Sequence, residues 1–395
     1  MSGLAACFLW LAACALLVPA LVLAIEVAAA ALPPRRPAFV PSGPRPRVDV
    51  LVPAHDEALH IERTVAALMR QLAPGDRVIV IADNCRDETA ALALRAGACV
   101  LERRNPEHFG KGYALAAGVQ FAHADPPSVV LVVDADTQPG DALVTTLAAL
   151  AHATGRPVQA AYTLEPPGDA WLGARLSAFA FQLRNQVRPR GLARLGLPCL
   201  LMGSGMAIPW ERLRTASLAH ARTAEDLALG VELALAGVPP LFCDSASVVG
   251  RLPEHPVDAR AQRRRWEHGH LAVTFSTAPR LLRAAFTRRD PALAALALDL
   301  CVPPLSLWGL LWLAAAAPAL GFSLLGGASA PAALLALAAA LASGAVAFAW
   351  HRFARDLLPP AAWLEVPGYW LGKLSSHLDL LRRREDHWSA NGRRR

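Results

Sequence analysis

The sequence lacks closely spaced cysteines and any internal repeat. Its seven cysteines form no CxxC pair and are scattered along the chain, as Cys7, Cys14, Cys85, Cys99, Cys199, Cys243 and Cys301. A disulfide framework and a structural zinc site are therefore not indicated, and such thiols suit a reducing compartment. His268 and His270 could form a metal pair, but the sequence offers no further ligands, so zinc is not expected there.

Charge is absent from two long stretches. Residues 1–25 and 301–350 contain no Lys, Arg, Asp or Glu. The first can form one transmembrane helix, and the lack of Lys or Arg at its start disfavours a signal peptide. The second is too long for one span and fits two, broken near residues 326–331. About three transmembrane helices are predicted, one within residues 1–27 and two within residues 298–351.

Basic residues flank these apolar stretches. The chain of 395 residues is 54% hydrophobic with a formal charge of +7. Its mean hydropathy of +0.33 is too high for an ordinary soluble enzyme. Arginines follow the first and third spans, in a Pro- and Arg-rich linker over residues 28–47 and after Trp350. The positive-inside rule places both flanks in the cytoplasm, so a multi-pass protein of the inner (plasma) membrane is expected. No nucleic-acid motif occurs, and an anionic membrane surface is the better partner for the arginines.

Three segments combine aromatic or apolar residues with arginines. Residues 170–195 are predicted to form an amphipathic helix on the membrane surface, with a partly buried helix carrying solvated arginines as the alternative. Residues 276–297 are assigned as an interfacial segment. Residues 352–395 form an amphipathic, basic, cytoplasmic tail. Asp299, just before the second span, is expected at the interface.

Residues 48–275 alternate short apolar runs with helical patterns. Strands are predicted at 48–53, 78–82, 99–102 and 129–133, with helices between them. This rhythm indicates a parallel sheet covered on both faces. In such sheets ligands bind beyond the carboxyl ends of the strands.

Two carboxylates one residue apart end the strand at 129–133. Asp134 and Asp136 would cost free energy near a core unless something satisfied them. They can share one hard cation that also grips phosphate oxygens. The alternative is a strand end with turn-forming Asp residues.

Seven short motifs occur in a fixed order along this region. They are Val-Pro-Ala-His-Asp-Glu (52–57), Ala-Asp-Asn-Cys-Arg-Asp-Glu-Thr (82–89), Gly-Lys-Gly (110–112), Asp-Ala-Asp (134–136), Gly-Ser-Gly-Met-Ala (203–207), Thr-Ala-Glu-Asp (223–226) and Gln-Arg-Arg-Arg-Trp (262–266). With apolar spans on both sides, the series resembles the processive-type membrane glycosyltransferases of family 2. These include the cellulose, chitin and hyaluronan synthases and ceramide-glucosyltransferase-like enzymes. The resemblance implies a GT-A catalytic domain, which is a Rossmann-like, mostly parallel sheet with flanking helices.

The resemblance implies a nucleoside diphosphate sugar as donor, with a UDP-sugar favoured, and Mg²⁺ or Mn²⁺ as cofactor. By this likeness Asp136 coordinates the metal, and Asp134 helps to hold the ribose–diphosphate part. Asp83 would hydrogen-bond the base, and Glu57 would lie beside the nucleotide. Lys111, at a helix start, suits the nucleotide end of the site.

The same resemblance assigns the acceptor side. Asp226 matches the general base, with Glu225 beside it at a helix start. Gln262 belongs to the donor-binding set, while Arg265 and Trp266 match the residues that contact the diphosphate and the acceptor. The alternatives are that Asp226 only caps a helix and that residues 262–266 are a solvated charge run.

Two features depart from the family pattern. Asp56 stands where members usually have Asn, which puts an extra carboxylate near the nucleotide pocket. Nothing after His270 resembles the gating segment of synthases that export their own polymer. We therefore expect a membrane-bound inverting glycosyltransferase with a lipid or membrane-associated glycan acceptor and a cytoplasmic catalytic domain. The alternatives are a processive polysaccharide synthase subunit that needs export partner proteins, and a catalytically inactive membrane scaffold.

Overall fold

The computed structural model describes residues 2–34, 45–168, 170–218, 224–366 and 368. Most of the predicted linker, most of the predicted basic tail and Thr223 lie outside these residues. The helices are α1 (Ser2–Ala30), α2 (Ile61–Met69), α3 (Thr89–Arg95), α4 (Lys111–Ala122), α5 (Leu143–Thr154), α6 (Leu172–Gln182), α7 (Arg188–Leu195), α8 (Trp210–Leu213), α9 (Glu225–Leu235), α10 (Pro256–Arg288), α11 (Pro291–Leu300), α12 (Leu305–Leu324) and α13 (Ala330–Phe353). A π-helical turn (Leu183–Val187) joins α6 to α7, and a 3₁₀ turn (Pro360–Leu364) follows α13.

The strands form one eight-stranded sheet. They are β1 (Val48–Ala54), β2 (Arg77–Asp83), β3 (Cys99–Arg103), β4 (Val129–Val132), β5 (Thr137–Pro139), β6 (Val158–Glu165), β7 (Met206–Pro209) and β8 (Leu241–Arg251). Their order in the sheet is β3-β2-β1-β4-β7-β6-β8-β5. The pairs β1–β2, β2–β3, β1–β4 and β6–β8 are parallel, whereas β7 and β5 run antiparallel to their neighbours. The predicted mostly parallel sheet is therefore present, with two antiparallel strands that the sequence pattern did not indicate.

Helices bury both faces of the sheet. Along β1, Val50 and Val52 join one apolar cluster with α2 and α5, while Leu51 joins a second with α4 and α9. Successive side chains of a strand point to opposite faces, so a strand buried on both faces is an unbroken apolar run. β4 and the centre of β2 have this character, whereas β1 also carries the buried Asp49, which accepts from Arg77 Nε at 2.9 Å. The carboxyl ends of the three strands meet at one edge of the sheet.

Three helices, α1, α12 and α13, are long and apolar enough to cross a membrane by length and composition. Helix α1 packs on α13 through small side chains, with Ala20 against Ala338 and Ala342. Small residues let two helix backbones approach closely, which is the usual way that membrane helices associate. Helix α1 continues to Ala30, past the predicted boundary at residue 27.

The segment predicted to lie on the membrane surface is instead packed on both sides. We call α6, the π-helical turn and α7 together the bridging helix (residues 172–195). Its apolar face contacts α1 and α13 through Phe179, Leu183 and Val187. Gly191 lies so close to α1 that an added Cβ would fall 1.9 Å from the carbonyl oxygen of Glu26. The bridging helix therefore connects the eight-stranded sheet to the apolar helices.

Arg188 of the bridging helix is buried and paired, not solvated. Its Nε donates to Glu26 Oε2 at 2.6 Å, and its Nη2 donates to Asp299 Oδ1 and, at 2.7 Å, to the Asp299 carbonyl. Asp299, which was expected at the membrane interface, has a side chain that is 9% exposed inside this ion cluster, and its position relative to a membrane stays a prediction. A buried guanidinium needs such partners to offset its lost hydration.

Candidate active site

The Asp-Ala-Asp segment is a tight link between β4 and β5 that neighbouring side chains hold in place. The backbone N–H of Asp134 donates to Ser204 Oγ at 3.0 Å. The Thr64 hydroxyl of α2 donates to the carbonyl oxygen of Ala135 at 2.8 Å. Both carboxylates therefore sit at the carboxyl end of β4 on a backbone fixed from two sides, as the sequence pattern predicted.

Lys111 at the start of α4 links several motifs. Its Nζ donates to Asp134 Oδ1 at 2.5 Å and to the Gly203 carbonyl at 2.7 Å. Burial lowers the pKa of Lys111, but the charges of Asp134, Glu225 and Asp226 outweigh this effect and raise it. Lys111 is therefore a permanent cation among three carboxylates.

The Gly-Ser-Gly turn lies directly against this cation. Gly203 has a φ of +89°, and an added Cβ would fall 3.1 Å from Asp226 Oδ2 and 3.3 Å from Lys111 Nζ. Both the backbone conformation and the lack of space require glycine here. The turn thus brings the starts of α4 and α9 together beside Asp134.

Glu225 and Asp226 begin α9, where the sequence placed them. Burial raises the pKa of Glu225 to about 7, Lys111 opposes the rise and Asp226 adds to it. Burial also raises the pKa of Asp226, while the charges of Lys111 and Arg184 lower it. Carboxyls whose pKa values lie above the usual range can accept protons near neutral pH, as a general base must.

Asp136 lies at the edge of a cavity of about 620 Å³, together with residues of α2, β6 and β8. Burial lowers the pKa of Arg265 of α10, and the charges of Glu225 and Asp136 oppose this effect, so Arg265 lies within electrostatic range of both carboxylates. The structure therefore brings Asp134, Asp136, Glu225, Asp226, Lys111 and Arg265 to one end of the sheet. The alternative of a solvated charge run at residues 262–266 does not fit a partly buried Arg265.

Trp266 packs inward rather than presenting an open ring. Its indole contacts the Phe181 ring of the bridging helix at 5.2 Å between centroids, tilted by 45°. Phe181 in turn meets Tyr162 edge-on at 4.9 Å. Gln262, one turn earlier on α10, has a buried Oε1 with no hydrogen-bond partner among the described residues. A sugar-stacking role for Trp266 and a donor-binding role for Gln262 stay predictions.

Asp83, at the end of β2, is buried and already bonded within the chain. Arg103 Nη1 donates to its Oδ1 at 2.6 Å, and the Gly110 N–H donates to its Oδ2 at 3.1 Å. The carboxylate therefore fixes the turn that leads into Lys111. A carboxylate offers about four acceptor positions, so a base-binding role for Asp83 stays a prediction.

Glu57 and Asp56 lie in the loop that follows β1. Glu57 Oε2 is 3.2 Å from His60 Nδ1. Asp56 has a φ of +52°, and its Oδ1 accepts from the Arg86 N–H at 2.7 Å. Where members usually have Asn, this carboxylate thus ties the β1 loop to the β2 loop. The nucleotide-side role of Glu57 stays a prediction.

Two residues near the carboxylates were missed by the sequence reasoning. Tyr162 of β6 is buried, and its pKa rises through burial and through the charges of Asp134, Asp136 and Asp226. The positive charge of Arg184, in the π-helical turn, lowers the pKa of Asp226. Tyr162 belongs to a predicted strand, but no local sequence pattern indicates that it lies near carboxylates from other segments.

His270 is the partner of Arg184 rather than a metal ligand. Its Nε2 lies 3.3 Å from the Val302 carbonyl, which can only accept, so Nε2 carries the proton. Nδ1 then accepts from Arg184 Nη2 at 3.0 Å. Burial and the charges of Arg184 and Arg188 keep the pKa of His270 well below its usual value, consistent with a neutral ring.

The residues that could hold a metal are carboxylates. Asp136 and Asp134 offer hard oxygen ligands, which suit Mg²⁺ and Mn²⁺. Lys111 occupies one oxygen of Asp134, and the other remains available as an acceptor by its chemistry. Elsewhere in the described residues, Asp56, Cys85 and Asp87 place three ligand atoms within 4.8 Å of one another. Burial raises the pKa of the Cys85 thiol to about 11, so it stays protonated near neutral pH.

Known proteins resemble this chain in sequence and in fold. A "Probable glycosyltransferase YdaM" of Bacillus subtilis is 33% identical over 100 residues, which are 24% of this chain and 24% of that protein. The chain thus aligns with about a quarter of that relative's length. The mannosyltransferase PcManGT from Pyrobaculum calidifontis, solved in complex with GDP-Man and Mn²⁺, is 20% identical. The alignment covers 88% of this chain and 99% of PcManGT with a TM-score of 0.54, which confirms the GT-A fold class. The family model described as "Glycosyltransferase like family 2" matches residues 44–269, more than half of the 395 residues, and the chain belongs to this family.

Proposed function

We propose that the protein is a membrane-anchored, metal-dependent, inverting glycosyltransferase. It transfers a sugar from a nucleoside diphosphate sugar, with a UDP-sugar favoured, to a lipid or membrane-associated glycan acceptor. The observation that carries the proposal is the meeting of four carboxylates with Lys111 and Arg265 at the carboxyl end of the sheet, in a chain of a glycosyltransferase family.

The donor binds on the Lys111 side of the site. Asp136 and Asp134 would hold Mg²⁺ or Mn²⁺, which when bound neutralises the diphosphate and helps it to leave. Lys111 and Arg265 supply positive charge to the phosphate oxygens, and Arg265 can do so through two parallel N–H donors. The presence of GDP-Man and Mn²⁺ in PcManGT supports this donor chemistry.

The acceptor hydroxyl loses its proton to Asp226 as its oxygen attacks the anomeric carbon. The bond between that carbon and the diphosphate oxygen breaks on the opposite side, so the anomeric configuration inverts. Glu225, with a pKa of about 7, supports the acid–base chemistry from the next position along α9. Burial of both groups raises their basicity, which favours proton uptake.

The membrane part of the proposal rests on α1, α12 and α13. Their composition suits a bilayer, and the arginines beyond them favour a cytoplasmic catalytic domain in the inner (plasma) membrane. Three spans favour transfer to a membrane-associated acceptor over export of a polymer by this chain alone. A processive synthase would need export partner proteins to complete its channel.

The test is donor turnover by the purified full chain in lipid nanodiscs. A panel of UDP-, GDP- and TDP-sugars is assayed with membrane extract, with and without chelator, and products are weighed by mass spectrometry. We expect transfer or hydrolysis of one donor, abolished by chelator and restored by Mg²⁺ or Mn²⁺. Asp136→Asn should abolish turnover without unfolding, because the cation loses an anionic ligand. Full activity in excess chelator would contradict the metal role, and a wild-type chain inert toward all donors would favour the inactive scaffold.

A further inference from the structure

The cavity beside Asp136 extends from the site to the end of α13. Asp136 and Gln138 contribute from β5 and the turn before it, and Phe353, Ala354 and Leu357 contribute from the end of α13 and the turn after it. Of the predicted site residues, Asp136 alone lines this cavity, and neither the donor residues Glu57, Asp83 and Lys111 nor the candidate base Asp226 does. Asp136 is therefore the point at which this space of about 620 Å³ adjoins the candidate site.

Part of the lining of this cavity comes from the end of an apolar helix. Helix α13 is a candidate span that ends at Phe353. The bridging helix is tied to this point, because Gln182 Nε2 donates to the Phe353 carbonyl at 3.1 Å. An acceptor with apolar chains along α13 could thus place its headgroup in the cavity and reach the site without leaving the bilayer.

The charges around the cavity nearly balance. Asp136 is assigned to the cation, and Glu165 lies 3.9 Å from Arg251 across the rim. Arg63 and Asp356 contribute one further charge of each sign. A site built for a lipid phosphate gathers several cationic donors around the anion. This cavity has no such excess of positive charge.

Neutral polar groups supply the rest of its polar lining. Gln138, Gln182, Gln186 and Thr163 line the space, and Gln182 Nε2 already donates to Gln186 Oε1 at 3.0 Å. Gln138 Oε1 is buried with no hydrogen-bond partner among the described residues. An unpaired buried acceptor is costly, and a bound hydroxyl can donate to it. Amides both donate and accept, which matches hydroxyl groups rather than phosphate oxygens, which only accept.

We infer that this cavity binds the headgroup of a neutral, hydroxyl-bearing lipid, an acylglycerol or glycolipid, as the sugar acceptor. The inference rests on the proposed transferase function and narrows its acceptor. The lipid hydroxyl oxygen bonds to the anomeric carbon, the bond from that carbon to the diphosphate breaks, and the hydroxyl proton passes to Asp226. The nucleoside diphosphate leaves with the bonding electron pair, so no oxidant or further reactant is needed.

The test compares two acceptors in nanodiscs that contain the full-length protein. One set contains dioleoylglycerol and monoglucosyl-diacylglycerol, and the other contains undecaprenyl phosphate. Each is assayed with the donor that the protein binds or hydrolyses. We expect glycosylated neutral lipid and no glycosylated lipid phosphate. Transfer to undecaprenyl phosphate, or to neither lipid while the donor is still hydrolysed, would overturn the acceptor assignment and leave the proposed function standing.

Variants connect the acceptor to the cavity. Gln138→Leu and Gln186→Leu should each raise the KM for the neutral lipid by about tenfold, as loss of one hydrogen bond does. Gln120→Leu, on the exposed side of α4, is the matched control and should behave as wild type. Donor affinity should be unchanged in all three, which also shows that they fold. An unchanged KM in both cavity variants would overturn the inference, whereas absent donor binding in the wild type would overturn the proposed function itself.

Discussion

Several carboxylates of the site interact with the same lysine. Lys111 bonds to Asp134, and its charge also acts on Glu225 and Asp226. Burial makes the charged form of these carboxylates costly, and Lys111 offsets this only in part. Burial thus raises the pKa of Glu225 to about 7, and the charge of Asp226 adds to the rise. The site therefore keeps a proton-accepting group available near neutral pH beside a permanently charged lysine.

Replacing Asp226 should affect the chemical step alone. We expect Asp226→Asn to lower turnover by about 10²–10⁴-fold, the usual range for loss of a general base. Donor affinity should persist, because Asp134, Asp136 and Lys111 are unchanged. Nucleotide affinity and turnover are measured on one preparation, with Glu211→Gln on the exposed face of α8 as control. Joint loss of donor binding and turnover would move Asp226 to pocket support and give the base role to Glu225. Near-normal turnover in the folded variant would favour the helix-cap alternative.

Arg184 should set the pH at which Asp226 works. Its positive charge, with that of Lys111, lowers the pKa of Asp226, which burial and Asp134 raise. Because the base acts only when ionised, activity falls as the pH drops through its pKa. Arg184→Gln should therefore move the acidic limb of the kcat/KM profile to higher pH.

A charge-conserving variant and a variant far from the site serve as controls for this experiment. Arg184→Lys keeps the charge and should restore most of the wild-type limb, which a purely structural role would not explain. Arg190→Gln, on α7 and paired with Asp244 away from the carboxylates, should leave the profile unchanged. An acidic limb at the wild-type pH in Arg184→Gln would show that this charge does not tune the base.

Among the elements, the bridging helix is the one that joins sheet and apolar helices. Its π-helical turn carries Arg184, which faces His270, and the next residue after the turn is Arg188. Single π-helical turns of this kind are frequent at functional sites. Because Arg188 bonds to α1 and α11 while Arg184 acts on Asp226, one short segment connects the apolar helices to the candidate base.

The ion cluster around Arg188 should be the most sensitive point of this junction. Arg188→Leu leaves Glu26 and Asp299 buried without their cation, which costs about 3–5 kcal/mol of unfolding free energy when a buried pair is broken. Replacing all three residues by Leu should recover most of this loss, because well-packed apolar groups can substitute for a buried ion cluster. Thermal unfolding in detergent measures both. A single variant as stable as wild type would show that the cluster is hydrated or dispensable.

As a whole, the molecule is a catalytic sheet joined to three apolar helices. Helix α1 precedes the sheet, while α12 and α13 follow it, and α1 packs against both of them. Elements from opposite ends of the chain therefore form one apolar bundle. The cavity beside Asp136 lies between this bundle and the sheet, which suits an enzyme whose acceptor resides in a bilayer.

The membrane topology of the whole chain can be tested with reporter fusions. Reporter fusions after residue 44 and at the C-terminus should both report cytoplasm, because arginines follow α1 and α13. A fusion at Gly327, in the turn between α12 and α13, should report the opposite side. The first and last fusion points lie outside the described residues, so the orientation rests on the charge rule alone. A C-terminal fusion on the far side would require a different number of spans.

The sequence determined the parts of this protein that depend on neighbouring residues. Apolar runs predicted β1, β2 and β4, and long uncharged stretches predicted α1, α12 and α13. Both patterns are visible locally, because a strand buried between helices and a helix that can span a bilayer are apolar along most of their length. The motifs marked Asp134 and Asp136 at a strand end, and Glu225 and Asp226 at a helix start, as candidate site residues before any geometry was known. Asp134 and Asp136 follow the parallel strand β4. The Gly203 turn, bonded to Lys111, brings the start of α9 beside them.

Only the tertiary structure decided which charges meet. Glu26 and Arg188 lie 162 residues apart, and Arg188 and Asp299 lie 111 apart, so no local pattern could pair them. Considered alone, Asp299 suggests the membrane interface, and residues 170–195 suggest a helix on the membrane surface with solvated arginines as the alternative. Neither pattern indicates this ion cluster. The same holds for Arg184 with His270, whose two ring nitrogens meet a guanidinium and a carbonyl from distant segments of the chain. A buried polar group takes its role from the partners that folding brings to it, and those partners come from distant parts of the chain.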